Sequence, residues 1–263
     1  MEVIRGLEEA WLGIDTLLAS LDDDQWTLPT PNTEWDVKDL AAHLGGLEAM
    51  FQGFPQPDPP DGWATEHSGL HHLTALGVQA RRTWATDQIM DELRRASAAQ
   101  LGKLRDLDDR GWQQQTLGPL GMTSMTNFAD VRLGDLYVHL LDMRYALGLP
   151  LQSSADQTAE SLVVGRAVRL TGWGAVKGAG LADWTRIRLE LSGLGGASAD
   201  LVVSARRGNL SEPEPGTADR VEGSALAYLL EIAGRHEMAE AVGGLVVEGD
   251  AARKLLEGYR LFG

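Results

Sequence analysis

Residues 35–51 read WDVKDLAAHLGGLEAMF, one histidine among leucines. Wound as a helix, this stretch puts Leu40, Leu44, Leu47 and Phe51 on one stripe at the i, i+3, i+4 spacing, and His43 falls inside that stripe. An imidazole there faces the interior, either as a core histidine with a hydrogen-bond partner or as a ligand for something held between helices. Asp36 stands at the N-cap position and Asp39 in the first turn, where a carboxylate favours the positive end of the helix dipole. The proline cluster PQPDPPDGW at 55–63 ends the helix, since a proline ring neither donates a helical hydrogen bond nor fits behind the preceding turn.

Working outward, residues 2–21 form an amphipathic pattern with Ile4, Leu7, Trp11, Ile14 and Leu18 on one face. The segment QWTLPTPNTEW that follows, with its two prolines, is a linking loop. Residues 64–85 show no decisive period, whereas 87–107 carry Ile89, Leu93, Leu101 and Leu104 at helical spacing, with Thr86 as the candidate N-cap. TLGPLGMTSMTN at 116–127 reads as a loop, and 129–147 as a helix closed by Gly148 and Pro150. After 150 the character changes. One helical stretch spans about 158–173; WTRIRLELSG (184–193) and ADLVVSARRG (199–208) alternate as a pair of strands; a helix at 223–233, a strand at 244–248 and a closing helix at 251–261 follow. The expectation is a two-domain α+β chain, with a four-helix bundle over 1–150 and a small α+β domain over 151–263.

The bulk composition removes several function classes. The 263 residues carry a net charge of −15, which repels a phosphate backbone, so nucleic acid is not an expected partner. No stretch approaches the ~18 consecutive apolar residues of a membrane span, and the acidic amino terminus lacks the basic start of a secretory signal. A cytoplasmic protein without a membrane partner is expected. With no cysteine, disulfides, thiolate zinc sites and a cysteine nucleophile are ruled out, and any metal must be held by histidine, carboxylate or water. There is no G-x-S-x-G elbow, no P-loop and no strand-borne G-x-G-x-x-G; GLGGAS at 193–198 reads as a turn between strands.

In the last helix of the bundle Asp135, His139 and Asp142 are spaced four and three apart and share one narrow face. A helical wheel reads such a face as solvated. Against that, exposed helix faces are ordinarily built from Glu, Lys, Gln and Arg, and Val138, Met143 and Ala146 carry apolar character well round the cylinder. His43, pointing inward from a second helix, completes two histidines and a carboxylate from facing helices, a common metal site in bundles. Three protein ligands leave an open position, and the donor set suits zinc, with nickel, iron or manganese also compatible. Other residues compete: Glu66, His67, His71 and His72 cluster in EHSGLHH, His236 lies beside Arg235, and Trp26, Trp35, Trp63, Trp112 and Trp173 read as core or loop anchors, of which one or two line a pocket.

Taken together, WTLPTPNTEWDVKDLAAHL (26–44) and RLGDLYVHLLDMRYALGLP (132–150), with LLEIAGRHEMAEAVGGLVVEGDAARKLL near the carboxyl end, resemble the mycothiol-dependent maleylpyruvate isomerase family of the DinB-like superfamily. The resemblance implies a DinB-like metal-binding bundle joined to a sterol-carrier-like domain. It places the family's metal triad on His43, Asp135 and His139, with aspartate where glutamate is usual. Asp142 matches an aspartate that either orients a neighbouring ligand or accepts a bond at the helix surface. Arg235 matches an arginine that lies near the metal across the domain interface, there to clamp a substrate carboxylate or a developing enolate, or else to form an interdomain salt bridge.

The activity implied is metal-dependent activation of a low-molecular-weight thiol, mycothiol, for transfer to or isomerisation of an electrophilic small molecule. Two alternatives stand beside it: a metal-dependent hydrolase or lyase that uses no thiol, and a non-catalytic small-molecule binding protein on the same fold.

Overall fold

A computed structural model describes residues 2–32, 34–58, 70–118 and 121–261, and the side chains of 70–73 fall outside that description. The chain divides into two compact units, Met1–Asp156 and Gln157–Gly263. The first is helical and the second contains the larger sheet. No helix among the described residues is long and apolar enough to cross a membrane.

In the first unit α1 (Glu2–Ala19), α2 (Val37–Phe51), α3 (Leu70–Gln79), α4 (Thr86–Arg105), the short α5 (Asp109–Gln113) and α6 (Met125–Ala146) follow in chain order. The long helices α1, α2, α4 and α6 pack on one another. Asp36 caps α2 as expected, its carboxylate accepting from the Asp39 amide at 2.8 Å. At α4 the cap is Ala85 rather than Thr86; Ala85 has no side-chain acceptor, and its amide instead donates to Gln88 Oε1 at 2.9 Å. α2 and α4 approach closely at Gly45, and Gly46 leaves room for the Arg81 side chain. A Cβ on Gly45 would lie 3.2 Å from Leu93 Cα, and one on Gly46 would lie 2.7 Å from the guanidinium carbon of Arg81. Arg81 is buried there and paired with Glu92 through bonds of 2.5 and 2.7 Å.

The segment expected as a loop over 116–127 is largely a hairpin, β1 (Gln115–Gly118) paired antiparallel with β2 (Gly121–Ser124). Leu117 and Met122 are exposed on its outer face, while the inner face presents Gly118 and threonines rather than large apolar residues, so the sequence shows no apolar-in, polar-out alternation. α6 starts directly after it, at Met125 instead of 129, because the Ser124 hydroxyl caps it by accepting from the Asn127 amide at 3.2 Å. Every residue of α6 from Leu136 to Arg144 is buried. The solvated-face reading of its polar stripe is therefore incorrect: Asp142 is 0% and His139 8% exposed. Residues just past Pro150 belong with the helices because Arg144 donates to the Leu151 carbonyl at 2.9 Å and pairs with buried Asp156 at 2.5 Å.

The second unit opens with α7 (Gln157–Arg169) and a turn of helix, α8 (Thr171–Trp173). Its strands are β3 (Arg186–Ser192), β4 (Ser198–Ser204), β5 (Arg207–Ser211), β6 (Asp219–Ser224) and β7 (Leu245–Glu248), and its remaining helices α9 (Ala225–Ile232), α10 (His236–Ala241) and α11 (Asp250–Gly258). The strand order is β5-β4-β3-β6-β7, antiparallel throughout except for the parallel pair β3 and β6. Ile187, Leu189, Leu191, Leu201, Val203 and Val221 point into the core, and α9 and α11 pack on β3 and β6. The expected pair β3 and β4 is present. β5 and β6 lay outside the reading because β5 is largely polar and β6, DRVEGS, buries only Val221. The β4–β5 turn hides its nature as well: Ala205 and Arg206 take φ of 49° and 58°, positions where a hairpin normally advertises itself with Asn-Gly.

Candidate metal centre

α2 and α6 bring His43, Asp135 and His139 together, with one ligand atom from each lying within 4.8 Å of the others. His43 Nε2 is 3.5 Å from Asp135 Oδ2, and His139 Nε2 is 3.6 Å from Asp135 Oδ1. Donors bound to a tetrahedral zinc ion at about 2.0–2.2 Å lie roughly 3.3–3.6 Å from one another, and each imidazole has one oxygen of the Asp135 carboxylate at such a spacing, Oδ2 for His43 and Oδ1 for His139. The two imidazoles stand edge to face with centroids 5.2 Å apart, and the Trp35 ring packs 4.8 Å from that of His43.

His43 is the inward-facing imidazole that its place among the leucines implies. It is 4% exposed, and neither ring nitrogen has a hydrogen-bond partner among the described residues. A core histidine is ordinarily satisfied, because each buried unpaired polar group costs about 1–3 kcal/mol. Burial lowers the imidazole below its ordinary pKa against the opposing pull of Asp135, so the ring is kept neutral with a lone pair to give. For Asp135, burial pushes upward, but His43, Arg132 and His139 together outweigh it and hold the carboxyl well below the usual carboxylate range. The donor set is thus two imidazoles, one of them unpartnered, and an ionised acid.

Outer contacts fix these groups. His139 Nδ1 lies 2.9 Å from Asp142 Oδ2, which turns Nε2 toward Asp135. Arg132 Nη1 donates to Asp135 Oδ2 at 2.5 Å, and Arg132 Nε to Glu48 Oε2 at 3.1 Å. Beside His43 a cleft of about 80 Å³ opens, lined in part by Gly46, Leu47, Met50, Leu76 and Arg81.

The triad and Asp142 are therefore adjacent within one unit. Arg235 belongs to the other unit, half-buried at the start of α10, with Nη1 donating to the Ala233 carbonyl at 2.7 Å. His236 is exposed and pairs with Glu231 at 2.8 Å. Glu66, His67 and Trp63 lie outside the described residues, as do the side chains of His71 and His72. Trp26 and Trp112 are buried anchors, while Trp173 is 55% exposed.

Sequence reading passed over Arg132, Glu48 and the placement of Trp35. Two signals were present: Arg132 stands three residues before Asp135 on the same helix face, and Glu48 is an acid inside the otherwise apolar run LGGLEAMF. Both are residue types that ordinarily sit in solvent, which is why they did not stand out.

A search of curated proteins finds no match to the chain. Two crystal structures resemble it in fold. One is the mycothiol-dependent maleylpyruvate isomerase, with a TM-score of 0.57 at 14% identity; the other is a histidine-to-alanine mutant described by the same name, with a TM-score of 0.60 at 12% identity. Each match covers 94% of this chain and 91% of the other. A family model described as the mycothiol maleylpyruvate isomerase N-terminal domain matches residues 7–144, a span that contains α2, α6 and all three members of the triad. With more than half of its length matched in this way, the chain belongs to the mycothiol maleylpyruvate isomerase N-terminal domain family.

Proposed function

We propose that the protein is an enzyme that holds a divalent ion, zinc before nickel, iron or manganese, on His43, Asp135 and His139, and activates mycothiol for attack on an electrophilic small molecule. The observation that carries this reading is the buried His43 ring, unpartnered and facing an ionised carboxylate and a second imidazole. When bound, the ion supplies an open coordination position at which a thiol loses its proton near neutral pH. Family membership supports mycothiol as that thiol, and a chain without cysteine takes its sulfur nucleophile from outside.

The residues of the chain do the rest. His43 stays neutral through burial, and Asp142 sets the orientation of His139. Trp35 lies against both imidazoles, at 4.8 and 6.4 Å, and keeps water from the donors. The apolar cleft beside His43 receives the body of the electrophile. Arg235 is assigned to a substrate carboxylate or developing enolate, where a guanidinium offers two parallel donors. Chemically, the thiolate sulfur forms a C–S bond at the expense of a conjugated C=C π bond. In isomerisation the resulting single bond rotates, and the same thiolate leaves as the double bond returns, so no thiol is consumed. In transfer the C–S bond is kept and the carbanion takes one proton from solvent. A reduced small thiol belongs to a reducing compartment, so this reading places the protein in the cytoplasm.

The test is incubation of zinc-loaded protein with mycothiol and maleylpyruvate, and with a panel of other electrophiles read by mass spectrometry, beside a His43→Ala variant. Thiol-dependent conversion that is lost in the variant is the expected result. Zinc-dependent hydrolysis without thiol would replace the reading with a metal hydrolase, and a protein that takes up no zinc would replace it with a binding protein.

A further inference from the structure

The Asp135 carboxylate does not stand alone at the centre. Its Oδ2 receives the 2.5 Å bond from Arg132 Nη1 and lies 3.5 Å from His43 Nε2, while its Oδ1 lies 3.6 Å from His139 Nε2. Arg132 is itself 0% exposed, held at Nε by Glu48, which is also 0% exposed. Glu48 in turn accepts from Gln100 Nε2 at 2.7 Å on Oε2 and from Gln52 Nε2 at 2.7 Å on Oε1. Gln100 Oε1 accepts from the Trp11 indole at 2.8 Å. The Arg132 guanidinium also lies 5.7 Å over the Phe51 ring, which Phe128 meets edge-on at 4.9 Å. One buried polar chain thus runs from α1 through α4 and α2 to α6 and ends on Asp135.

Burying an arginine and a glutamate is costly unless their remaining bonds are made; those of Glu48 are, whereas Arg132 Nη2 has no hydrogen-bond partner among the described residues, so the pair is weak as a source of stability compared with apolar side chains of the same volume. Its value lies in fixing geometry: a guanidinium is a rigid planar fork, and one clamped at Nε by a satisfied carboxylate presents Nη1 in a fixed direction. An aspartate is one methylene shorter than a glutamate and has less freedom to search for an ion, so its carboxylate plane must be set by its neighbours.

We propose that Arg132 is a positioning residue of the metal centre: held from behind by Glu48, it fixes the plane of the Asp135 carboxylate through Oδ2, so that Oδ2 stays beside His43 and Oδ1 beside His139. The inference rests on the metal-binding reading of the triad. It also assigns Glu48 and Gln100 as supports acting at second hand.

The experiment measures zinc affinity by competition with a chromophoric chelator, for the full chain and for R132K, D135A and the double variant, with thermal unfolding followed alongside. R132K keeps the positive charge and loses the fork. The expected result is a 10- to 100-fold loss of zinc affinity in R132K, the range typical of removed outer-sphere partners, and no further loss from R132K once Asp135 is already alanine. An R132K protein that binds zinc as tightly as the unaltered chain overturns the inference, as does a loss that persists in full in the D135A background, which marks a general effect on packing. Should R132K fail to fold, E48Q takes its place and is read against D135A in the same way. Failure of the unaltered chain to bind zinc would overturn the metal reading itself, and the two failures are thereby distinguished.

Discussion

His139 Nδ1 and Asp142 Oδ2 lie 2.9 Å apart inside α6, and Asp142 has no exposed surface at all. With Nδ1 donating to that carboxylate, Nε2 keeps the lone pair that faces Asp135. Asp142→Asn replaces that acceptor with a group that also donates and admits the wrong tautomer. Zinc affinity is expected to fall about 10- to 100-fold with the helix content unchanged. Chelator competition and circular dichroism on the same samples check both halves of the expectation.

The unpartnered ring of His43 predicts an unusual trade. His43→Leu removes a buried Nδ1 that makes no hydrogen bond and an Nε2 that has only the 3.5 Å approach to Asp135, so the metal-free protein should gain stability, by about 1 kcal/mol from the unmade hydrogen bond. The same change should abolish the rise in melting temperature that added zinc gives. Urea denaturation of metal-free protein measures the first effect and calorimetry with zinc the second. A destabilised metal-free variant would mean that His43 has a structural partner.

Stability should also depend on pH through this residue. Burial holds the folded-state pKa of His43 below its ordinary 6.5, so the unfolded chain binds the proton first as pH falls. Above 6.5 the group contributes no slope; below it, stability declines down to the lowered folded value. Metal-free protein should therefore be less stable toward urea at pH 5.5 than at pH 7.5, and His43→Leu should remove part of that difference.

The inward face of α2 and the place of His43 were legible because Leu40, Leu44, Leu47 and Phe51 keep strict helical spacing and Asp36 marks the start. Asp135, His139 and Asp142 were legible as a stripe, but not as buried, since burial on all sides of α6 is set by neighbours that contribute no periodicity to its own sequence. The hairpin 115–124 and strand β6 were missed for a related reason: exposed Leu117 and Met122, and a charged DRVEGS, leave no alternation to read. The chain from Trp11 to Arg132 joins residues 89 and 84 positions apart at two of its links, and no local pattern reports contacts of that range.

Two glycines separate crowding from helix propensity. A Cβ at Gly46 would fall 2.7 Å from the Arg81 guanidinium, whose position is fixed by Glu92, the Gly77 carbonyl and Gln56. Alanine gains about 1 kcal/mol of helix propensity over glycine, but overpacking costs about 1–3 kcal/mol, and a guanidinium held on three sides places Gly46→Ala at the upper end, with a net loss. At Gly102 nothing lies within 4 Å, so Gly102→Ala should stabilise by roughly 0.5–1 kcal/mol. Chemical denaturation of the two variants side by side gives the opposite signs or refutes the packing argument.

The most direct measurement is zinc K-edge absorption on the zinc-loaded protein, recorded for the unaltered chain and for His43→Ala. The account predicts a low-coordinate shell of two imidazole nitrogens and a carboxylate oxygen at about 2.0–2.2 Å, with the imidazole scattering reduced in the variant. An all-oxygen shell, or a spectrum that His43→Ala leaves unchanged, would contradict it.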